Sequence, residues 1–480
     1  MILLFLIYFL AFSHLSIIKH RTYESTAFDL GIFDQALSST INDGYFFETT
    51  ALGVTLEGRG YSTFSVHLNI ILFLILPIYY LYQNPETLLI IQSLFIGLGA
   101  VPLYLLARKE INRLWATVLS IIYLLYPSLH WINLYDFHPE SMVPCFMLFS
   151  FLFLKKMRYS MYFFFLILSL ACKEDVMLVV IGLGLYIIIS ERIRVRSSLD
   201  LVKSNTVRVG IITVLIGIFW IFLTNAFITG LPWVGKWVFI ERYSHMGRTW
   251  TDIAVFMLDP INIFSEISSV DTLGYIIKLL LPLSFIPLFS PSILAIPIIR
   301  FMENILSNAP AMYDIRFHYA APIIPFLFIS AVYSAKKISY RIKKFSKIFM
   351  IGMITISVIS SIYLGPISSS DLFPEKTNHH MMIDEAIALI PKEASVSTHD
   401  EIFPHLSSRS NTYLGYQHGV QYVMVDTKSR WYHVGWIGRD PVSRFDDKIE
   451  YLVDKNVYHV IFNKDGILLL EITKIVSNNN

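Results

Sequence analysis

The sequence predicts an α-helical, polytopic membrane protein of about twelve spans, with a small α/β domain outside the membrane at its C-terminal end. Three observations lead there. Hydrophobic residues make up 55% of the chain and charged residues only 15%, against roughly 45–50% and 25% in an ordinary soluble domain; mean hydropathy is +0.57. Apolar runs near the roughly 20 residues that a crossing needs recur from the first residues to 366. From 371 the composition turns polar and the apolar residues fall into short alternating units. The 38 basic and 36 acidic residues leave a net charge of +2, so no nucleic-acid or polyanionic partner is expected. Cys145 and Cys172, both in apolar stretches, exclude a disulfide framework and a cysteine metal cluster.

Taken in order, the run 1–18 lacks the basic residues that precede a signal-peptide core and is followed by Lys19-His20-Arg21. It therefore reads as a retained first span. Further spans are expected at 64–82, 88–107, 114–131, 141–154, 161–189 as a broken pair, 209–229, 273–290, 291–307, 320–335 and 348–366. Residues 1–366 would form the transmembrane domain, with an external loop at 19–63, and 367–480 a soluble external domain. Within the latter, 381–390 and 445–453 read as helices, 394–397 and 422–426 as strands, and 458–472 as a hairpin turning at Asp465-Gly466.

Basic residues collect at 155–158, 192–208 and 336–347, and such short loops normally stay cytoplasmic. Counting outward places 136–140, 230–271, 308–319 and everything after 366 on the external side. Arg108, Lys109 and Arg113 also look cytoplasmic, which with two clean crossings would put 21–63 inside. Either an extra short or re-entrant pass within 64–107, broken at Pro77, restores the external placement, or one basic cluster departs from this statistical rule; the first loop is expected outside.

The first polar loop holds Ala27-Phe28-Asp29-Leu30-Gly31-Ile32-Phe33-Asp34-Gln35-Ala36-Leu37, spaced so that a helix would lie flat at the bilayer surface. Asp29 and Asp34 stand about 140° apart on a helical wheel, which suits one working carboxylate and one supporting acid. The same pattern also fits an interfacial helix whose acids simply face water. In Asp136-Phe137-His138-Pro139-Glu140, Pro139 pushes His138 toward extended backbone, so Asp136 and His138 could converge. They could hold a divalent metal with His67 or orient a phosphate; equally, Pro139 and Glu140 could simply begin a helix. Lys173-Glu174-Asp175 interrupts an apolar run of about 30 residues, and charges inside a span usually face a polar cavity. The flanking pieces read as half-helices meeting there, which would let Lys173 reach a lipid phosphate. A tight turn of self-neutralising charges is the plain alternative.

Arg242, His245, Arg248, Glu303, Arg316 and His318 add external charged groups, and Trp233, Trp237 and Tyr243 could stack on sugar rings. His399-Asp400-Glu401 with His405 fits no metal-ligand spacing; Asp400 reads as a helix N-cap. No glycine-rich nucleotide loop is present.

The order of these features resembles the membrane-embedded glycosyltransferases of the GT-C superfamily, which use lipid-phosphate-linked sugars. The matching pieces are Asp29, the Asn42-Asp43-Gly44-Tyr45-Phe46 turn and Phe64-Ser65-Val66-His67. The chain as a whole resembles a multi-pass archaeal and bacterial family of unknown function grouped with that superfamily, through 28–37, 65–77, Asp136 to Glu140, Lys173-Glu174 and 391–409 with Pro404-His405-Leu406. The resemblance implies Asp29 as catalytic base with Asp34 beside it. Together with the loop readings above, His67, Asp136, His138, Glu140, Lys173 and Glu174 are expected to line the cavity that binds a polyprenyl-phosphate-linked sugar donor among the membrane lipids. Characterised members often carry an Asp-Glu pair where this chain has Asp29-Leu30, and a basic residue where it has His67. A transporter or lipid flippase, with substrate held at the 173–175 break, and a non-catalytic membrane scaffold are the competing expectations.

Overall fold

Helices dominate the computed structural model, which describes residues 1–55, 57–195, 204–231, 238–368, 372–429 and 453–473. Among the described residues, five helices are long and apolar enough to cross a membrane: Ile2–Arg21, Pro85–Glu110, Val176–Arg194, Asn205–Gly230 and Ser346–Leu364. A sixth arises if Arg113–Leu124 and Pro127–Tyr135, bent by 42°, act as one span. The expected dozen is therefore not present as long helices. Leu72–Leu81, with 10 residues, is only ~15 Å long, half of a ~30 Å hydrocarbon core. The runs 273–290 and 291–307 divide into Val270–Leu280, Leu281–Leu283, Ile286–Phe289, Pro291–Leu294 and Ile298–Ile305. Pro282, Pro287, Pro291 and Pro297 cause this, because each lacks the amide that would continue the helical ladder.

The chain falls into two compact units. The first comprises Met1–His14, Phe64–Leu74 and Ile90–Leu372. In it, the helices Tyr159–Cys172 and Val176–Arg194 are separated by Lys173-Glu174-Asp175, the break expected from the charges. Val176–Arg194 is not a half-helix, however: its 19 residues suffice for a crossing. It packs closely on Asn205–Gly230 through small residues. A Cβ on Gly184 would lie 2.8 Å from the Gly210 carbonyl oxygen, and one on Gly210 3.0 Å from that of Gly184, the approach that glycine permits between membrane helices.

The second unit comprises Leu15–Thr63, Ile75–Leu89 and Phe373–Asn480. A single π-helical turn, Ala27–Gly31, leads into the helix Ile32–Asn42. Strands β1 (Glu48–Val54) and β2 (Gly60–Ser62) pair antiparallel. Then follow the helix Asn378–Ala388, β3 (Val396–Thr398), β4 (Thr412–Leu414), β5 (Tyr422–Asp426), β6 (Tyr458–Lys464) and β7 (Ile467–Ile472). The sheet order is β4-β3-β5-β7-β6, parallel through β4, β3 and β5 and antiparallel beyond. Its hairpin turns at Asp465 and Gly466, with φ of 52° and 88°, the left-handed pair of a type I′ turn. Ile383, Ala386, Val396, Leu406, Met424 and Leu469 form the core between helix and sheet. The expected helix at 445–453 lies, apart from Val453, outside the described residues.

The stretch 27–37 does not lie flat on a surface. Residues 32–39 of its helix are all buried. Their polar groups are satisfied internally: the Gln35 amide donates to the carbonyls of Arg409 (3.2 Å) and Thr412 (3.0 Å), and the Ser38 hydroxyl to that of Ser408 (2.6 Å). Buried hydrogen-bonding groups tolerate enclosure only when paired in this way.

Candidate functional site

The first unit gathers charge in an apolar surrounding. Lys173, at the C-cap of Tyr159–Cys172 in extended backbone (φ −164°, ψ 147°), points its ammonium at Glu140 Oε2 (2.7 Å) and stands 3.6 Å from Asp175 Oδ2. Glu140 Oε1 meets His318 Nε2 at 2.9 Å. The Lys173 distance is that of an ion pair and His318 adds a polar contact, although neither Glu140 oxygen has hydrogen-bond geometry. The His318 ring stacks on that of His138, centroids 3.7 Å apart. Arg300, fully buried, reaches Asp175 Oδ2 (3.1 Å) and Glu303 Oε2 (2.8 Å). On the other side of the break, Glu174 faces His67 Nδ1 (2.7 Å) and accepts the Leu68 amide (3.0 Å).

Electrostatics follow from these contacts. His318 is driven well below its usual range by burial, then by the nearby His138 and His67. Burying charge costs several kcal/mol per ion unless it is paired, so each carboxylate here has a cationic or imidazole partner.

His138 adopts the extended backbone expected before Pro139 (φ −136°, ψ 126°), and Pro139 also begins the turn Pro139–Met142; the two expectations hold together. A residue that the sequence did not single out, Gln92, fixes this segment. Its Nε2 donates to the Asp136 carbonyl (2.7 Å) and its Oε1 accepts the His138 amide (2.9 Å). Arg300 was likewise not anticipated, since its partner Asp175 is far away in sequence. Among the described residues, no group of three or more His, Cys, Asp and Glu side chains is arranged to hold a metal ion. The anticipated metal role of Asp136, His138 and His67 thus lacks a ligand set.

In the second unit, Asp29 sits half-buried on the π-turn, closed by the Gly31 amide donating to the Thr26 carbonyl (3.1 Å). The Thr26 hydroxyl donates to Asp29 Oδ2 at 3.2 Å. Single π-turns recur at functional positions. Asp34 is fully buried; the hydroxyls of Tyr79 (2.6 Å) and Ser407 (2.7 Å) donate to its two oxygens. Burial pushes its carboxyl up to about 7, against the opposing pull of those two hydrogen bonds, so it exchanges a proton near neutrality. Asp400 accepts the Ala27 amide at 2.8 Å, at the start of the π-turn.

The remaining charged groups are mostly engaged locally. Arg316 pairs with Asp314 (2.6 Å), the Arg248 amide donates to Asp252 (3.1 Å), and the His245 ring lies 6.2 Å from Phe256. Arg242 lies 5.6 Å from the Tyr319 ring centre, and the Tyr243 hydroxyl donates to the Glu303 carbonyl at 3.0 Å. Trp233 and Trp237 lie outside the described residues.

With this geometry in hand, likeness to other proteins is informative. Residues 19–469 match the model of a family described as predicted membrane protein (DUF2079). No curated protein matches the sequence. The crystal structure of ArnT from Cupriavidus metallidurans bound to undecaprenyl phosphate is similar at TM-score 0.55 and 12% identity, over 98% of this chain and 97% of that one. ArnT in the apo state gives 0.50 and 10%, over 92% and 93%. The Archaeoglobus fulgidus oligosaccharyltransferase in the apo form gives 0.48 and 11%, over 98% and 74%. The fold is that of ArnT.

Proposed function

The chain belongs to the DUF2079 family of predicted membrane proteins, and from that premise we propose that it is an integral membrane glycosyltransferase, moving a sugar from a polyprenyl- or dolichyl-phosphate carrier to an external acceptor. Fold alone does not fix an activity; the site must supply it. The observation that carries the proposal is the Lys173–Glu140 ion pair, closed off by His318 and nearly inaccessible, with Glu140 only 1% exposed. Ionised groups set in an apolar helical unit are retained for a polar ligand far more often than for stability. ArnT, of the same fold, binds undecaprenyl phosphate, the carrier class proposed for this chain.

The chemistry divides between a base and a phosphate cradle. Asp29 takes the proton of the acceptor hydroxyl as that oxygen attacks the anomeric carbon. The bond from that carbon to the carrier phosphate breaks, and the lipid phosphate leaves with the electron pair. Lys173 donates to its oxygens as charge develops, while Glu140, Glu174, His67, Asp136 and His138 hold the ammonium and the donor in place. Asp34 supports the loop that carries Asp29. The C-terminal segment faces outward. Asp29→Asn keeps shape and removes basicity. Transfer of radiolabelled sugar from a polyprenyl-phosphate donor by the purified chain should fall at least 100-fold; undiminished transfer would remove Asp29 from the role.

A further inference from the structure

Within the second unit, none of the groups assigned a role above lines a cleft of about 210 Å³ bordered by His20, Gln83, Asn84, Glu86, His405 and Ser408. Its cations are already taken. The Arg21 guanidinium grips Glu86 with two bonds, of 2.7 and 3.1 Å, and Lys376 pairs with Asp384, which also accepts the Tyr23 hydroxyl at 2.7 Å. Two positive and two negative groups cancel, and burial holds His405 well below its usual range and so neutral. An anion entering here would displace carboxylates already in place; a neutral ligand would not.

The rest of the lining suits hydroxyl groups. An amide both gives and accepts hydrogen bonds, and a carboxylate accepts at the lone pairs its own partners leave; Gln83, Asn84, Glu86 and Asp384 all border the cleft. The rings of His20 and His405 stack at 4.2 Å and 4°, with Tyr23 4.1 Å beyond, a rigid wall. Among the described residues, the buried Nε2 of His405 has no hydrogen-bond partner. At about 210 Å³ the cleft falls below the roughly 300–1,000 Å³ of sites that hold drug-sized ligands, which suits an occupant near the size of one sugar ring.

We propose that this cleft binds a single neutral monosaccharide unit, the recognition site for the sugar end of a glycan acceptor. Its neutral, hydroxyl-rich class rests on the cleft alone, while the acceptor role rests on the glycosyltransferase reading. The test is saturation-transfer NMR on the full chain in a detergent without sugar headgroups, with glucose, galactose, mannose and N-acetylglucosamine as neutral probes and glucuronate as the charged one. At least one neutral sugar should bind with a millimolar Kd and outcompete glucuronate. Ser408→Trp, at an exposed position, should weaken it tenfold or more without lowering the melting temperature. No binding by any neutral probe, equal binding of glucuronate, or binding unchanged by Ser408→Trp would overturn the proposal. Because the readout is binding, a chain that takes up these sugars yet transfers none would uphold the cleft and refute the enzymatic role.

Discussion

Asp34 offers a quantitative test, because its burial ties stability to pH. Its carboxyl is raised from the usual 3.8 to about 7, so the folded chain holds a proton that the unfolded chain has released between those values. Stability from this group is complete below about 4, falls as pH rises and is lost once pH passes about 7. Three pH units at ~1.36 kcal/mol each make roughly 4 kcal/mol. Asp34→Asn cannot ionise. The Tyr79 hydroxyl can still donate to its oxygen, while Ser407 keeps its 3.0 Å bond to the Pro404 carbonyl and accepts from the new amide. The variant should therefore match the wild type within about 1 kcal/mol near pH 4.5 and exceed it by a few kcal/mol at pH 8. Melting of both chains in detergent across pH 4.5 to 8.5 reads this directly. Parallel curves would refute the buried, protonated state of Asp34.

Other consequences concern packing and charge. A Cβ on Gly182 would stand 2.0 Å from the Ile296 carbonyl oxygen, backbone that cannot step aside, so Gly182→Ala should cost about 1–3 kcal/mol and lower the melting temperature in detergent. Arg300→Leu would strand Asp175 and Glu303 without their guanidinium. It should destabilise by about 3–5 kcal/mol, and adding Asp175→Asn and Glu303→Gln should recover much of that in the same assay.

The break at 173–175 was legible because three charges cannot sit unnoticed in an apolar run, and the hairpin at Asp465-Gly466 because few dipeptides adopt two left-handed conformations. The membrane character followed from composition alone. The number of long helices did not, since a short helix buried among others is as apolar as one that spans. At 273–307 the prolines carried the missing signal. The π-turn at Asp29 has no compositional mark, being one extra residue in a turn. Tyr79 reads as part of an apolar run, yet its hydroxyl is spent on Asp34; Gln92 and Arg300 act on partners distant in sequence. Such pairings are properties of the folded chain, which periodicity does not encode.

Native mass spectrometry of the purified chain with added undecaprenyl phosphate bears most directly on the central claim, that the ion pair at Lys173 exists for a lipid phosphate. Replacing both partners, Lys173→Met with Glu140→Gln, leaves no buried charge unpaired and so keeps the fold. The wild type should retain the lipid phosphate in preference to phosphatidylglycerol, and the double variant should lose that preference. Equal retention by both chains, or none by the wild type, would contradict it.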